Sequence, residues 1–153
     1  MNRRASIALT DAERHAYIAE APTIILVSIG SNGYPHAVPM WFTVEDDGCY
    51  YMTTYGRSQK AVNLRRNPKA ALLVESGERY DQLKGVLIRG TAEVVDDPEL
   101  CVSILSKIHA KQFGALTAEV RDLMRAQARK RVALKITPQR VASWDHRKLA
   151  GTY

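Results

Sequence analysis

Thr23-Ile24-Ile25-Leu26-Val27-Ser28-Ile29-Gly30-Ser31-Asn32-Gly33-Tyr34 is the stretch that decides the fold class. Its first seven residues form a continuous, largely β-branched apolar run that reads as a strand, and Gly30 to Gly33 supply the positive-φ positions a hairpin turn requires. The chain is therefore expected to return antiparallel over Tyr34 to Val44. Glu45-Asp46-Asp47-Gly48 marks a second turn, and Cys49 to Thr54 a third strand. Upstream, Thr10 followed three residues later by Glu13 is a capping-box pattern that predicts a helix over about residues 11–20.

Downstream, Ser58 is placed to cap a helix running to about Arg66, with Ala61, Val62 and Leu64 inward and Asn67-Pro68 as its stop. Strand signals resume at Ala70 to Glu75 and at Gly85 to Val95. Asp97-Pro98 sets a capping carboxylate before a proline at the first helical position, and Leu100, Ile104, Leu105 and Ile108 carry the helical period until Gly114 interrupts it. A further helix from about Thr117 to Lys130 precedes two short strands, Val132 to Ile136 and Arg140 to Trp144, expected to be separated by Pro138. Hairpins dominate this order. The chain is thus expected to be a β-rich α+β protein, its antiparallel sheet closed into a barrel with flanking helices, because closure removes exposed edges.

With 153 residues, 46% hydrophobic and 25% charged, one domain spanning 1–153 is expected. The longest apolar runs fall far short of the ~20 residues that cross a bilayer, and the opening residues lack the apolar region of a secretory signal. No membrane partner and a cytoplasmic location are expected. Cys49 and Cys101 lie in apolar segments outside any CxxC or Cys/His cluster and read as buried free thiols. His15, His36, His109 and His146 are scattered without metal-ligand spacing, and no P-loop, G-x-S-x-G or G-x-G-x-x-G motif is present. A net charge of +6 favours an anionic partner. The cations are dispersed and carry no nucleic-acid recognition motif, so that partner is expected to be a small molecule.

Arg57 and Lys60 stand in the first turn of the helix capped by Ser58, where the positive end of the helix dipole makes a cation unfavourable by ~0.3–1 kcal/mol. An anion docked on the backbone N–H groups of Ser58, Gln59 and Lys60, with the Ser58 hydroxyl and both cations added, removes the conflict, and phosphate suits such a site. The alternative is solvent-facing charge. Arg65 and Arg66, in the last turn, complement the dipole and need no ligand. In the strand Tyr34 to Val44, Pro35 and Pro39 each remove a ladder donor, which suits an edge. That edge leaves backbone groups near Val38, Pro39, Met40 and Trp41 open to a planar heterocycle with polar edges, or to a dimer contact; Met40 and Trp41 suit a core equally.

The run from Met52 through Thr53-Thr54-Tyr55-Gly56-Arg57-Ser58-Gln59-Lys60 to Asn67-Pro68 resembles the phosphate-binding segment of pyridoxamine 5′-phosphate oxidase-like split barrels. The ending Arg140-Val141-Ala142-Ser143-Trp144-Asp145-His146-Arg147-Lys148-Leu149 is similar to that of the flavin/deazaflavin oxidoreductase branch. The resemblance implies an antiparallel split barrel and a homodimer with cofactors in clefts at the subunit interface. It places the phosphate at Ser58, Gln59 and Lys60, the ring against Val38 to Trp41, and Thr53 and Thr54 nearby. Coenzyme F420, a deazaflavin, or FMN is the implied cofactor, and hydride transfer to a small conjugated organic acceptor the implied reaction; a non-catalytic carrier or sensor of the cofactor is the other reading. No catalytic side chain is identified. The family's pyridoxamine oxidases usually carry arginine where Gln59 stands, which argues against that activity.

Overall fold

Sequence-local chemistry sets the helix starts. Thr10 accepts from the Glu13 amide at 3.2 Å while Glu13 accepts from the Thr10 amide at 2.7 Å, opening α2 (Asp11–Glu20) after a short α1 (Arg3–Ser6). Ser58 opens α3 (Gln59–Arg66), Asp97 α4 (Pro98–Phe113) and Thr117 α5 (Ala118–Ala128). The computed structural model describes residues 3–149; of the domain expected over 1–153, residues 1–2 and 150–153 lie outside the described residues.

Seven strands, β1 (Ile24–Ile29), β2 (Pro35–Met40), β3 (Thr43–Val44), β4 (Tyr50–Tyr55), β5 (Lys69–Ser76), β6 (Lys84–Val95) and β7 (Arg131–Asp145), form one sheet in the order β2-β1-β5-β6-β7-β4-β3. Every pairing is antiparallel. The strand expected over Tyr34 to Val44 is in fact two strands at opposite edges of this sheet. Only Trp41 and Phe42 separate them, and three Cα-to-Cα steps reach no more than about 11 Å. The sheet must therefore curl until its edges almost meet, which makes it a split barrel with flanking helices.

The two short strands expected around Pro138 are likewise one strand, β7. The register slips between Arg89 and Gly90, so that Gly90 faces Pro138, Arg89 faces Arg140 and Gln139 is left over. A bulge of this kind absorbs a proline without ending the strand.

Alternation divides the buried residues into two layers. Leu26, Met52, Leu72, Ile88 and Leu134 point into the barrel, closed by Ala61 and Leu64 of α3 and Ile18 of α2. Tyr51 and Ala133 point outward and are covered by Cys101, Ile104 and Ile108 of α4 with Ala128 of α5. Cys49 and Cys101 are buried free thiols, and burial pushes the Cys101 thiol up to about 11. Ile25, Leu73 and Leu87 lie side by side on the outward face of β1, β5 and β6, half-buried and in neither layer. No helix among the described residues is long and apolar enough to cross a membrane.

Candidate functional site

Strand β4 delivers successive residues to opposite faces of the sheet, and this places Thr54 beside α3 and Thr53 in a cleft outside the barrel. On the α3 side, the Lys60 ammonium donates to Thr54 Oγ1 at 3.2 Å, Thr54 donates to Ser58 Oγ at 3.0 Å, and Ser58 Oγ accepts the Ala61 amide at 3.4 Å. A hydroxyl has one donor and two acceptor positions, so the Ser58 hydrogen is left to donate outward. The Ser58 amide closes a turn on the Tyr55 carbonyl at 2.9 Å. The expected cradle is thereby narrowed to the amides of Gln59 and Lys60, which have no partner inside the helix. The Gln59 side chain is committed to Asn63 Oδ1 at 2.8 Å, and Asn63 donates to Ser28 Oγ at 3.1 Å within the barrel. Gln59 therefore has its side chain turned to Asn63 by one of its two N–H groups, while its backbone amide stays open.

Arg65 and Arg66 are occupied as local structure requires: Arg65 donates to the Gly56 carbonyl at 2.6 Å, and Arg66 to the Ile29 carbonyl at the end of β1.

The cleft on the other side of β4 has a volume of about 380 Å³. Pro39, Met40 and Trp41 form one wall, Leu105 and Ile108 of α4 with Gln127 of α5 the other, and Thr53 and Arg131 the floor. Of the sequence-expected residues, Pro39, Met40, Trp41 and Thr53 thus line one cleft. Val38 does not; it alternates inward and, like Met40 two residues on, packs against the barrel core. Thr54 sits with Ser58 and Lys60. Strand β2 is an edge strand, as its prolines required, and pairs only with β1.

Arg131, the first residue of β7, joins these two groups and was not singled out in the sequence. It faces Tyr55 in the β4–β7 ladder, donates through Nη1 to Thr53 Oγ1 at 3.3 Å, and holds its guanidinium 4.8 Å from the Tyr55 ring centroid. Its Nε is fully buried with no partner among the described residues, the mark of a donor awaiting an acceptor. Burial, and then the charge of Arg131, lowers the pKa of Lys60. Two cations thus repel each other here, and neither is in a salt bridge among the described residues. Arg131 also borders a second cleft of about 430 Å³, in which Arg57, Arg65, Arg129 and Lys130 face a single carboxylate, Asp96. Arg57 belongs to that cleft and is exposed. The sequence signal was the Arg129-Lys130-Arg131 run, hidden among 22 basic residues until α5 folds back.

Residues 10–145 match the pyridoxamine 5′-phosphate oxidase family. The chain belongs to this family. A pyridoxine/pyridoxamine 5′-phosphate oxidase of Cupriavidus metallidurans is 28% identical over 151 residues, covering 94% of this chain and 69% of its own. The structure of a conserved hypothetical protein from Mycobacterium tuberculosis is similar at 38% identity, with a TM-score of 0.89 over 98% of this chain and 93% of that one. The structure of an F420 reductase, 24% identical over 81% of this chain and 92% of its own, shares the fold at a TM-score of 0.63.

The family implies a flavin-type cofactor, and the residues present suit one. A cofactor phosphate would meet the Ser58 hydroxyl, two free amides, Lys60 and Arg131, while the largely apolar cleft beside them suits a flat ring system. Among the described residues, no group of three His, Cys, Asp or Glu stands close enough together to hold a metal.

Proposed function

We propose that this chain is an oxidoreductase that holds coenzyme F420 or FMN and transfers a hydride to a small conjugated organic acceptor, as a single-domain cytoplasmic homodimer. One observation carries the reading: Lys60, bonded to Thr54 beside the Ser58 cap, and Arg131, close enough to depress the Lys60 pKa, have no carboxylate partner among the described residues, and Arg131 also floors the apolar cleft. An anion between them relieves the Lys60–Arg131 repulsion and accepts the orphan donors. The bound cofactor supplies a two-electron hydride donor. Ser58, the Gln59 and Lys60 amides, Lys60 and Arg131 anchor it. Pro39, Met40 and Trp41 hold one side of the ring, and Leu105 and Ile108 exclude water from the cleft.

The second cleft favours the deazaflavin over FMN. Its four further cations, contiguous with the phosphate site through Arg131, suit the several carboxylates of the F420 tail. The homodimer reading is supported by the row Ile25, Leu73 and Leu87, an apolar strip across three strands that neither buried layer of the described residues includes.

A carrier or sensor role is favoured by one feature: among the described residues no carboxylate, histidine or tyrosine lines the ring cleft, so none of these supplies a proton there. The test is reconstitution with F420 and with FMN, followed by stopped-flow oxidation of the bound reduced cofactor. Acceptor-dependent oxidation supports the oxidoreductase; tight binding without turnover supports the carrier; failure to bind either cofactor overturns both.

A further inference from the structure

Trp41 and Phe42 carry the chain between the two edges of the sheet, and their side chains serve different cavities. Trp41 lines the ring cleft; Phe42, buried, lines a separate cavity of about 300 Å³ between α2, the β3–β4 hairpin and the end of α4. We propose that this second cavity is a binding site for a small flat monocarboxylate.

Its walls are apolar: Ile18 and Ala19 of α2, Val44 of β3, and Phe42 stacked on Tyr50 with ring centroids 6.3 Å apart at 29°. Two near-parallel rings make a flat surface on which a planar body packs. The polar groups that break this surface are donors. The Lys111 ammonium stands 4.2 Å from the Phe42 ring centroid and gives one hydrogen to the Ala21 carbonyl at 2.7 Å, which leaves two more. It has no carboxylate partner among the described residues, and partial burial lowers its pKa. The Tyr50 hydroxyl makes no hydrogen bond among the described residues, and burial raises its pKa, so it stays protonated. His15 lines the rim. Among the described residues no Asp or Glu lines the cavity; Glu45 nearby takes a bond from Thr43 Oγ1 at 3.3 Å and another from Lys107. A carboxylate on Lys111 takes up its free hydrogens, the Tyr50 hydroxyl supplies a further donor on the same lining, and a ring-sized body fills the apolar remainder.

The test is a titration of the full-length chain with benzoate, followed by calorimetry and by NMR shifts, with benzamide as the uncharged counterpart. Benzoate is expected to bind at least tenfold more tightly than benzamide. Lys111→Met should reduce its affinity tenfold or more, Tyr50→Phe severalfold, and Arg131→Met not at all. Tyr50→Phe keeps the Lys111 bond to Ala21 in place, so the site stays testable if Lys111→Met fails to fold. The proposal is overturned by no benzoate binding up to about 10 mM, by equal affinity for benzamide, by an undiminished affinity in Tyr50→Phe, or by a loss in Arg131→Met, which would put benzoate in the ring cleft. Because no redox cofactor enters the experiment, its outcome is independent of the proposed oxidoreductase activity.

Discussion

Lys60 donates to Thr54 Oγ1 at 3.2 Å, and this contact orients the hydrogens along the first turn of α3. An ammonium cannot accept, so the Thr54 hydrogen goes to Ser58, whose own hydrogen is then directed outward. Lys60→Ala is expected to weaken F420 or FMN binding by roughly 1.5–3 kcal/mol, the range of a charge-assisted bond, or about tenfold to over a hundredfold in Kd. The apo protein should lose little stability, since a cation leaves both the positive helix end and the field of Arg131. Arg66→Ala is the control. It breaks the bond to the Ile29 carbonyl, so it should cost roughly 0.5–1.5 kcal/mol of stability while cofactor affinity holds. Fluorescence titration and urea denaturation of both variants check this; equal affinity losses would mean a diffuse charge effect.

Arg131→Met separates an anchoring role from a structural one. The substitution removes one long bond to Thr53, the contact with the exposed Tyr55 ring and a buried Nε that has no partner among the described residues, so apo stability should change by no more than about 1 kcal/mol. Cofactor affinity should fall at least tenfold, and its dependence on salt should flatten because a cation has left the site. Titrations at two salt concentrations decide the matter. A large stability loss with unchanged affinity would make Arg131 a scaffold residue.

What the sequence made legible follows from the range of the interactions. Thr10 with Glu13, Ser58, Asp97 and Thr117 cap helices through bonds spanning at most three residues, and each start was readable. The β1–β2 hairpin was readable for the same reason. The division at Trp41-Phe42 was not, because it depends on β2 and β3 finding partners at opposite ends of the strand order. Pro138 read as a break since its compensation, the slip beside Gly90, lies on another strand. At the site, Ser58 and Lys60 were visible as a charge in the wrong place for a helix dipole. Arg131 becomes recognisable only when β7 pairs with β4, and the Ser58 amide drops out only when the turn onto Tyr55 is seen.

The outward apolar strip gives the proposed dimer a specific test. Leu73 lies between Ile25 and Leu87 in the register, so Leu73→Lys places a charge at the middle of the strip without touching either buried layer. Light scattering should show a dimer for the parent chain and a monomer for the variant, with the circular dichroism of the two alike. A parent chain that scatters as a monomer with cofactor bound would remove the homodimer.

Gly85 faces Trp144 across β6 and β7, and a Cβ built on it would stand 2.3 Å from Trp144 Cζ2. Gly85→Ala therefore has to displace the indole, which should cost about 1–3 kcal/mol by overpacking. Thermal unfolding measures it, and cofactor affinity, set at distant residues, should be unchanged.

The neighbouring carboxylate makes the same C-terminal segment sensitive to acid. Asp145 is buried and pairs with Arg147 through bonds of 2.9 and 2.6 Å, while also accepting the Arg147 amide at 3.0 Å. Those bonds, led by the Arg147 side chain, hold its pKa below the ordinary 3.8. A carboxylate with a folded pKa below its unfolded one contributes stability that is fully present above the unfolded value and disappears as pH falls through the folded value. The parent chain should therefore lose this contribution only below about pH 4. Asp145→Asn keeps the shape but removes the charge, and should cost about 1–3 kcal/mol at pH 7, toward the lower end because Arg147 is largely exposed. Urea denaturation of both proteins from pH 7 down to pH 3 should show the gap between them narrow as the parent carboxylate takes up its proton. A gap that stays constant over that range would show that Asp145 acts by packing alone, with its charge of no consequence.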